Sequence, residues 1–177
     1  MKIWSFFIGL ALIHATSTAQ TTLKKYNIGE SKCQAYFFCN PGEAGKSYTP
    51  DSAIIYQMTC EFDSLESGLI CVDLPGAAMK LDEGEKLMVT YIDYLKTVFK
   101  IKSALGYGYG HTMDSYPNAR GLIDQWEDET GNTIKIKSWT NGKYIGFLFV
   151  SGSAKKIDAN FNKINAYLNG FRFPPVN

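Results

Sequence analysis

Apolar and polar residues alternate along three consecutive stretches of the chain between residues 119 and 150. Alternation with a period of two is typical of strands that bury one face. Two turn sequences separate the stretches, Asp-Glu-Thr-Gly at 128–131 and Asn-Gly at 141–142. Asn-Gly between apolar runs is the strongest short signal for a hairpin, because both residues tolerate positive φ. The pattern therefore predicts an antiparallel meander of three strands.

The two turns also predict which residues face each other across the strands. A two-residue loop of Asn-Gly places Ile136 opposite Phe147 on a face that is apolar throughout. A four-residue loop at the other turn places Asp124 opposite Lys135, a favourable pair of charges. In that register Ile123 joins Ile136 and Phe147 on the apolar face.

Two helices are predicted to cover the sheet. A long helix starts at the capping-box sequence of Asp82 and Glu85. Its apolar stripe consists of Leu87, Met88, Tyr91, Leu95, Val98 and Phe99. A closing helix has the stripe Ile157, Phe161, Ile164 and Leu168. The spacing of this second stripe favours one continuous helix that ends at Gly170, and we expect it to cover the face of Ile136 and Phe147.

An earlier hairpin is predicted from two apolar stretches, 53–62 and 69–74. If its turn is centred between residues 65 and 66, Cys60 lies directly opposite Cys71. Cysteines that face each other on neighbouring strands are close enough for a disulfide bond. We therefore expect Cys60 and Cys71 to be bonded.

The other two cysteines, Cys33 and Cys39, flank a short predicted strand at 34–38. A fully extended segment of this length holds its ends ~20 Å apart, too far for a bond. Cys33 and Cys39 form a second pair only if the segment curls back. Since four cysteines allow three pairings, the full connectivity stays open.

Residues 1–19 have the composition of an export signal. Lys2 is followed by an apolar core at 3–13, and small residues precede Gln20. The apolar core is too short to span a membrane. We expect a signal peptide at 1–19 and a single α+β domain at 20–177, secreted or periplasmic, without a membrane anchor. Four cysteines in an exported chain agree with disulfide formation.

The remaining chain has no excess of charge. Without Lys2 it contains 17 basic and 17 acidic side chains. A nucleic-acid-binding domain normally carries a basic stripe, and none is present here. We therefore expect no nucleic-acid partner.

Few residues suggest catalytic chemistry. His111 is the single histidine after residue 19, which excludes pairs of histidines as metal ligands or catalysts. The acidic residues near the first turn of the meander are Asp124, Glu127, Asp128 and Glu129. Two of them at suitable separation define the alternative of a carboxylate-based hydrolase. Acids beside a turn are more often solubilising residues, so we expect no enzyme, no cofactor and no metal.

The second face of the meander mixes aromatic and charged side chains. Its predicted members are Arg120, Trp126, Lys135, Lys137, Trp139 and Tyr144. Aromatic residues together with arginine are enriched at the centres of binding sites, which makes this face the candidate binding surface. The alternative is that the long helix covers the face while the lysine stems extend past it.

The order of these elements resembles the PsbP-like fold. The resemblance includes the early strands, a helix, the meander and a last helix that runs into Leu-Asn-Gly-Phe-Arg-Phe at 168–173. It implies an antiparallel sheet with helices packed on it, an α+β sandwich, and a non-catalytic accessory or binding domain. The partner implied is an unknown protein, peptide or glycan. The alternatives are a small extracytoplasmic hydrolase and an inhibitor or immunity-type protein.

The export signal makes a direct prediction. Mass spectrometry of secreted material should find a chain that starts at Gln20, because the small residues at 17–19 suit signal peptidase. Recovery of a secreted chain that still starts at Met1 would contradict the signal peptide.

Overall fold

A computed structural model describes residues 22–113 and 116–175 of the chain. The predicted export signal at 1–19 lies outside the described residues. The strands are β1 (Lys24–Asn27), β2 (Gln34–Phe37), β3 (Gly45–Tyr48), β4 (Ile54–Phe62), β5 (Leu65–Asp73), β6 (Ile101–Ala104), β7 (Gly108–Met113), β8 (Tyr116–Asp128), β9 (Thr133–Thr140) and β10 (Tyr144–Gly152). The helices are α1 (Leu81–Val98), α2 (Ala154–Ala159) and α3 (Phe161–Leu168).

Eight of the strands form one antiparallel sheet. Its order is β3-β4-β5-β10-β9-β8-β6, and β7 pairs with the other part of the long strand β8. Strands β1 and β2 form a separate two-stranded ribbon. Helices pack on both faces of the large sheet. The predicted fold class, an antiparallel α+β sandwich, is confirmed.

The hairpin of β9 and β10 is present, but its predicted register is wrong by two residues. Phe149, not Phe147, lies opposite Ile136. The reason is the turn, where the side-chain oxygen of Asn141 accepts hydrogen bonds from the N–H groups of Lys143 at 3.1 Å and Tyr144 at 2.9 Å. A shift by two residues leaves every side chain on its predicted face.

The predicted register of β8 against β9 is wrong by one residue, and this error has a larger effect on which face each side chain occupies. The loop has three residues, because Asp128 accepts from Gly131 N at 3.1 Å and its own N–H donates to Asn132 O at 3.1 Å. Asp124 therefore faces Ile136 and not Lys135. A shift by one residue exchanges the two faces of β8. Ile123 thus lies on the face of the lysines, not on the predicted apolar face.

Helix α1, not the closing helix, covers the face of Ile136 and Phe147. Its buried residues Met88, Ile92 and Leu95 belong to the same apolar cluster as these two side chains. The predicted assignment of helices to faces is therefore wrong. The stripe on α1 indicates that the helix is amphipathic, but it contains no information about which side of the sheet the helix crosses to.

The opposite face is covered by α2, α3 and the C-terminal segment. The predicted continuous helix is interrupted at Asn160, so Phe161 is exposed while Ile157 and Ile164 are buried. The hydroxyl of Tyr167 on α3 donates to Gly68 O on β5 at 2.7 Å. This buried hydrogen bond fixes α3 against the middle of the sheet.

The disulfide bond joins Cys39 to Cys60, so the predicted bond between Cys60 and Cys71 is wrong. The hairpin of β4 and β5 turns at 63–64, where both residues have positive φ. Cys71 consequently lies opposite Tyr56, four residues along β4 from Cys60. Cys33 does not bond to Cys39; Cys33 and Cys71 are both buried free thiols.

Gly142 provides a test of the β9–β10 turn. It has a φ of 85°, and a Cβ at this position would lie 2.2 Å from the carbonyl oxygen of Met79. Gly142→Ala should lower the free energy of unfolding by about 3 kcal/mol, because backbone strain and a backbone clash combine. Urea unfolding monitored by circular dichroism measures the loss.

Gly131 is the matched control for this substitution. Its φ is 82°, yet a Cβ there would meet nothing within 4 Å. Gly131→Ala should cost only the strain, about 1 kcal/mol. Equal losses in the two variants would show that Met79 does not restrict the turn.

Candidate functional site

The six residues of the predicted binding face are divided between the two faces of the sheet. Lys135, Lys137, Trp139 and Tyr144 share the face of α2 and α3, since Trp139 lies opposite Gly146 on β10. Arg120 and Trp126 lie on the face of α1, because the shift by one residue reverses β8.

The Trp139 part of this face is covered. Trp139 is 2 % exposed. Lys137 is also buried; its Nζ donates to Asn169 Oδ1 at 2.7 Å and lies 4.6 Å from the centre of the Trp139 ring. Burial lowers the pKa of Lys137 below its ordinary value. Asn169 directly follows α3, and the C-terminus of a helix stabilises a cation. Trp139 belongs to the cluster of α3 and the C-terminal segment, whereas the sequence suggested cover by the long helix.

Trp126 belongs to a buried polar cluster around Asp124. One oxygen of Asp124 accepts from Trp126 Nε1 at 2.7 Å and lies 3.5 Å from Lys96 Nζ. The other oxygen accepts from the backbone N–H groups of Gly106 at 3.0 Å and Gln125 at 2.8 Å. The carboxylate therefore joins α1, β8 and the segment after β6.

The remaining acidic residues of the hydrolase alternative are Glu127, Asp128 and Glu129. Glu127 lies 3.6 Å from Lys102 Nζ at the surface. Asp128 accepts hydrogen bonds from the N–H groups of Thr130 and Asn132, both at 2.9 Å, within its own loop. Glu129 is exposed. The carboxylates of Asp124, Glu127 and Asp128 contact different partners, and none of the four acids lines the apolar groove described next.

An apolar groove lies where α1 leaves part of the sheet uncovered; we call it the α1 groove. The helix packs mainly over β8 and β9, so the same face of β4 and β5 stays open beside it. The cavity has a volume of about 320 Å³. Its lining residues are Ile55, Gln57, Thr59, Leu69, Ile70, Val72, Tyr91, Tyr94, Leu95, Val98, Phe99, Phe147 and Phe149.

The lining of the α1 groove carries no charged side chain. Its polar groups are the hydroxyls of Tyr91, Tyr94 and Thr59 and the amide of Gln57. Burial, with a smaller effect from the charge of Asp51, raises the pKa of Tyr91, so this hydroxyl is neutral at physiological pH. The groove is suited to hold an uncharged apolar group, with hydrogen-bonding groups at its rim.

The edge of the α1 groove exposes large apolar side chains. Tyr94 is 64 % exposed and Val98 is 54 % exposed. These residues lie four positions apart on the helix and therefore form one strip. The sequence pattern predicts Val98 in the helix stripe but does not predict the groove, because a stripe does not show how much of the sheet one helix covers.

His111 lies on β7 and pairs with Gly121 on β8. Burial lowers its pKa, and the nearby charge of Lys137 lowers it further. Within 22–113 and 116–175, no three His, Cys, Asp or Glu side chains are arranged to hold a metal ion. The helices in those ranges include none with the length and apolar character needed to cross a membrane.

The fold is similar to that of a solved structure. The solution structure of cyanobacterial PsbP, CyanoP, from Synechocystis sp. PCC 6803 matches with a TM-score of 0.50 at 12 % sequence identity. The match covers 92 % of this chain and 98 % of that chain. No family model and no curated protein sequence matches the chain. The protein has a PsbP-like fold, as the order of its elements predicts.

The covered position of Trp139 leads to a stability prediction. Trp139→Ala should lower the free energy of unfolding by about 3 to 5 kcal/mol, because it removes a buried ring from the cluster beneath α3. Thermal and urea unfolding measure the effect.

Trp139→Phe is the control variant. The indole Nε1 of Trp139 has no hydrogen-bond partner among the described residues. Replacement by phenylalanine therefore removes volume but no hydrogen bond, and should cost about 1 to 2 kcal/mol. Parent-like stability of Trp139→Ala would show that the ring is exposed in solution.

Proposed function

We propose that the protein is an extracytoplasmic accessory domain that binds a small, uncharged and mainly apolar ligand in the α1 groove. The observation that carries this proposal is a cavity of about 320 Å³ with an apolar lining, open to solvent between α1 and β4–β5. Ligand sites in proteins are typically clefts of this size that contain a few polar groups.

The chemistry of the lining selects the class of ligand. A carboxylate, phosphate or ammonium group in the groove would lose its hydration and find no charge of opposite sign. An apolar chain or ring would instead bury its surface against Ile70, Phe147 and Phe149. The hydroxyls of Tyr91 and Tyr94 would donate a hydrogen bond to a single polar group of the ligand or accept one from it.

An extracytoplasmic location is supported by three features. The Cys39–Cys60 disulfide is typical of oxidising compartments. Residues 1–19 have the composition of an export signal. The PsbP-like fold agrees with an accessory or binding role, although a fold alone does not determine function. We propose binding in preference to hydrolysis, since the groove contains no pair of acids that could act on a substrate.

The binding proposal is tested with N-phenyl-1-naphthylamine, an uncharged apolar fluorophore whose emission rises in apolar surroundings. We expect saturable binding by the parent protein. Ile70→Lys, on the floor of the groove, should weaken binding about tenfold or more, because the ammonium group must be desolvated when the probe enters. Val98→Lys, at the rim, should have a smaller effect in the same direction.

Leu105→Lys is the matched control. Leu105 is 81 % exposed and lies outside the α1 groove. The control should bind the probe as the parent does, and urea unfolding shows which variants are folded. If Ile70→Lys is unfolded, Val98→Lys decides the test. Equal affinity in parent and groove variants would contradict the α1 groove as the binding site.

A further inference from the structure

The thiol of Cys33 lies at the end of a tight turn that leads into β2. The N–H of Ile28 donates to Cys33 O at 3.0 Å, and the N–H of Cys33 donates to Ser31 Oγ at 3.1 Å. Cys33 is fully buried in the apolar cluster beneath the ribbon. These hydrogen bonds fix the backbone of Cys33 within the turn, and its side chain packs in the cluster that includes residues of the large sheet.

Cys71 lies in the middle of the sheet, and its neighbours contact the same turn. On one side Cys71 faces Tyr56 of β4, whose ring packs directly on Gly29. On the other side it faces Gly146 of β10, which is covered by the ring of Phe171. The strands on both sides of Cys71 therefore touch segments that neighbour Cys33.

The C-terminal segment completes this enclosure. Arg172 follows Phe171, and its backbone exchanges two hydrogen bonds with Gln34, the residue after Cys33, at 2.8 and 2.9 Å. Cys33 and Cys71 are thereby enclosed in the same space between the ribbon, β5 and the C-terminal segment. The neighbouring Cys33 thiol, together with burial, raises the pKa of the Cys71 thiol well above its ordinary value. Both sulfurs belong to one apolar cluster.

We propose that Cys33 and Cys71 form a second disulfide bond when the chain folds in an oxidising compartment. In this step the two thiols lose two protons and two electrons, and the Sγ–Sγ bond forms. A disulfide of a thiol–disulfide oxidoreductase, or oxidised glutathione, accepts the electrons and is reduced to two thiols. The bond forms before burial is complete, because exchange requires a thiolate that the oxidant can reach.

The new bond would enclose the first one. The Cys39–Cys60 link lies inside the segment between Cys33 and Cys71, with five residues between Cys33 and Cys39 and ten between Cys60 and Cys71. It would join the ribbon to β5 in addition to the existing link to β4. A loop of this size restricts the unfolded chain, so the thermal midpoint should rise by about 6 to 12 °C relative to the chain with Cys33 and Cys71 reduced.

The test uses the full chain, refolded in a mixture of reduced and oxidised glutathione and then alkylated in denaturant. We expect no free thiol in the refolded chain, because all four cysteines should be bonded. Proteolysis without reductant should release a linked pair of peptides that contain Cys33 and Cys71, together with the Cys39–Cys60 pair. Two alkylated thiols at Cys33 and Cys71 would overturn the proposal, as would a link from either of them to Cys39 or Cys60.

Two double variants separate the bonds. Cys39→Ser/Cys60→Ser should still form the Cys33–Cys71 link, which shows that the pair does not depend on the first bond. Cys33→Ala/Cys71→Ala replaces the two thiols without introducing a buried hydroxyl. Reductant can break only the Cys39–Cys60 bond in this variant, so it should lower the thermal midpoint less than it does in the parent chain. Failure of Cys39→Ser/Cys60→Ser to link Cys33 with Cys71 under the same mixture would contradict the proposed proximity.

Discussion

Strand β10 is buried on both faces, and this constraint determines the arrangement of everything around it. Ile145, Phe147 and Phe149 point toward α1, while Leu148 and Val150 point toward α2 and α3. Exposing either set to water would cost several kcal/mol, at roughly 1.5 to 3 kcal/mol for each large apolar side chain. The sheet must therefore be covered on both sides. Helix α1 supplies one cover, and the closing helices with the C-terminal segment supply the other.

The period of two along the strands could be predicted from the sequence, whereas the pairing of the strands could be predicted only in part. The predicted β9–β10 register is wrong by two residues, because the side chain of Asn141 caps the turn. Every side chain of the two strands nevertheless lies on its predicted face. The predicted β8–β9 register is wrong by one residue, because Asp128 and Asn132 close a three-residue loop. Turn residues thus predict a hairpin more reliably than they predict its loop length.

That single-residue shift explains why the predicted binding face is divided between the two faces of the sheet. It moves Arg120 and Trp126 away from Lys135 and Lys137, and Asp124 into a buried cluster with donors from three segments. The α1 groove could not be predicted for a different reason. How much of a sheet one helix covers depends on the position at which the helix crosses the strands, and no local sequence pattern contains that position. Of the groove's exposed side, the sequence predicts only that Tyr91 and Val98 belong to the apolar stripe of the helix.

The two faces of the sheet are held together by different forces. Both pairs of cysteines lie on the side of the ribbon, where Cys39–Cys60 ties the chain covalently to β4. The α1 side depends on packing and on polar contacts near the ends of the helix. The rings of Phe99 and Phe149 meet edge to face with their centres 4.9 Å apart, and Met79 N donates to Gly142 O at 3.0 Å. Among the described residues no disulfide bond lies on the α1 side, so packing and polar contacts alone hold α1 on the sheet. If the proposed ligand binds, its apolar surface would add to the packing that holds α1 beside β4 and β5.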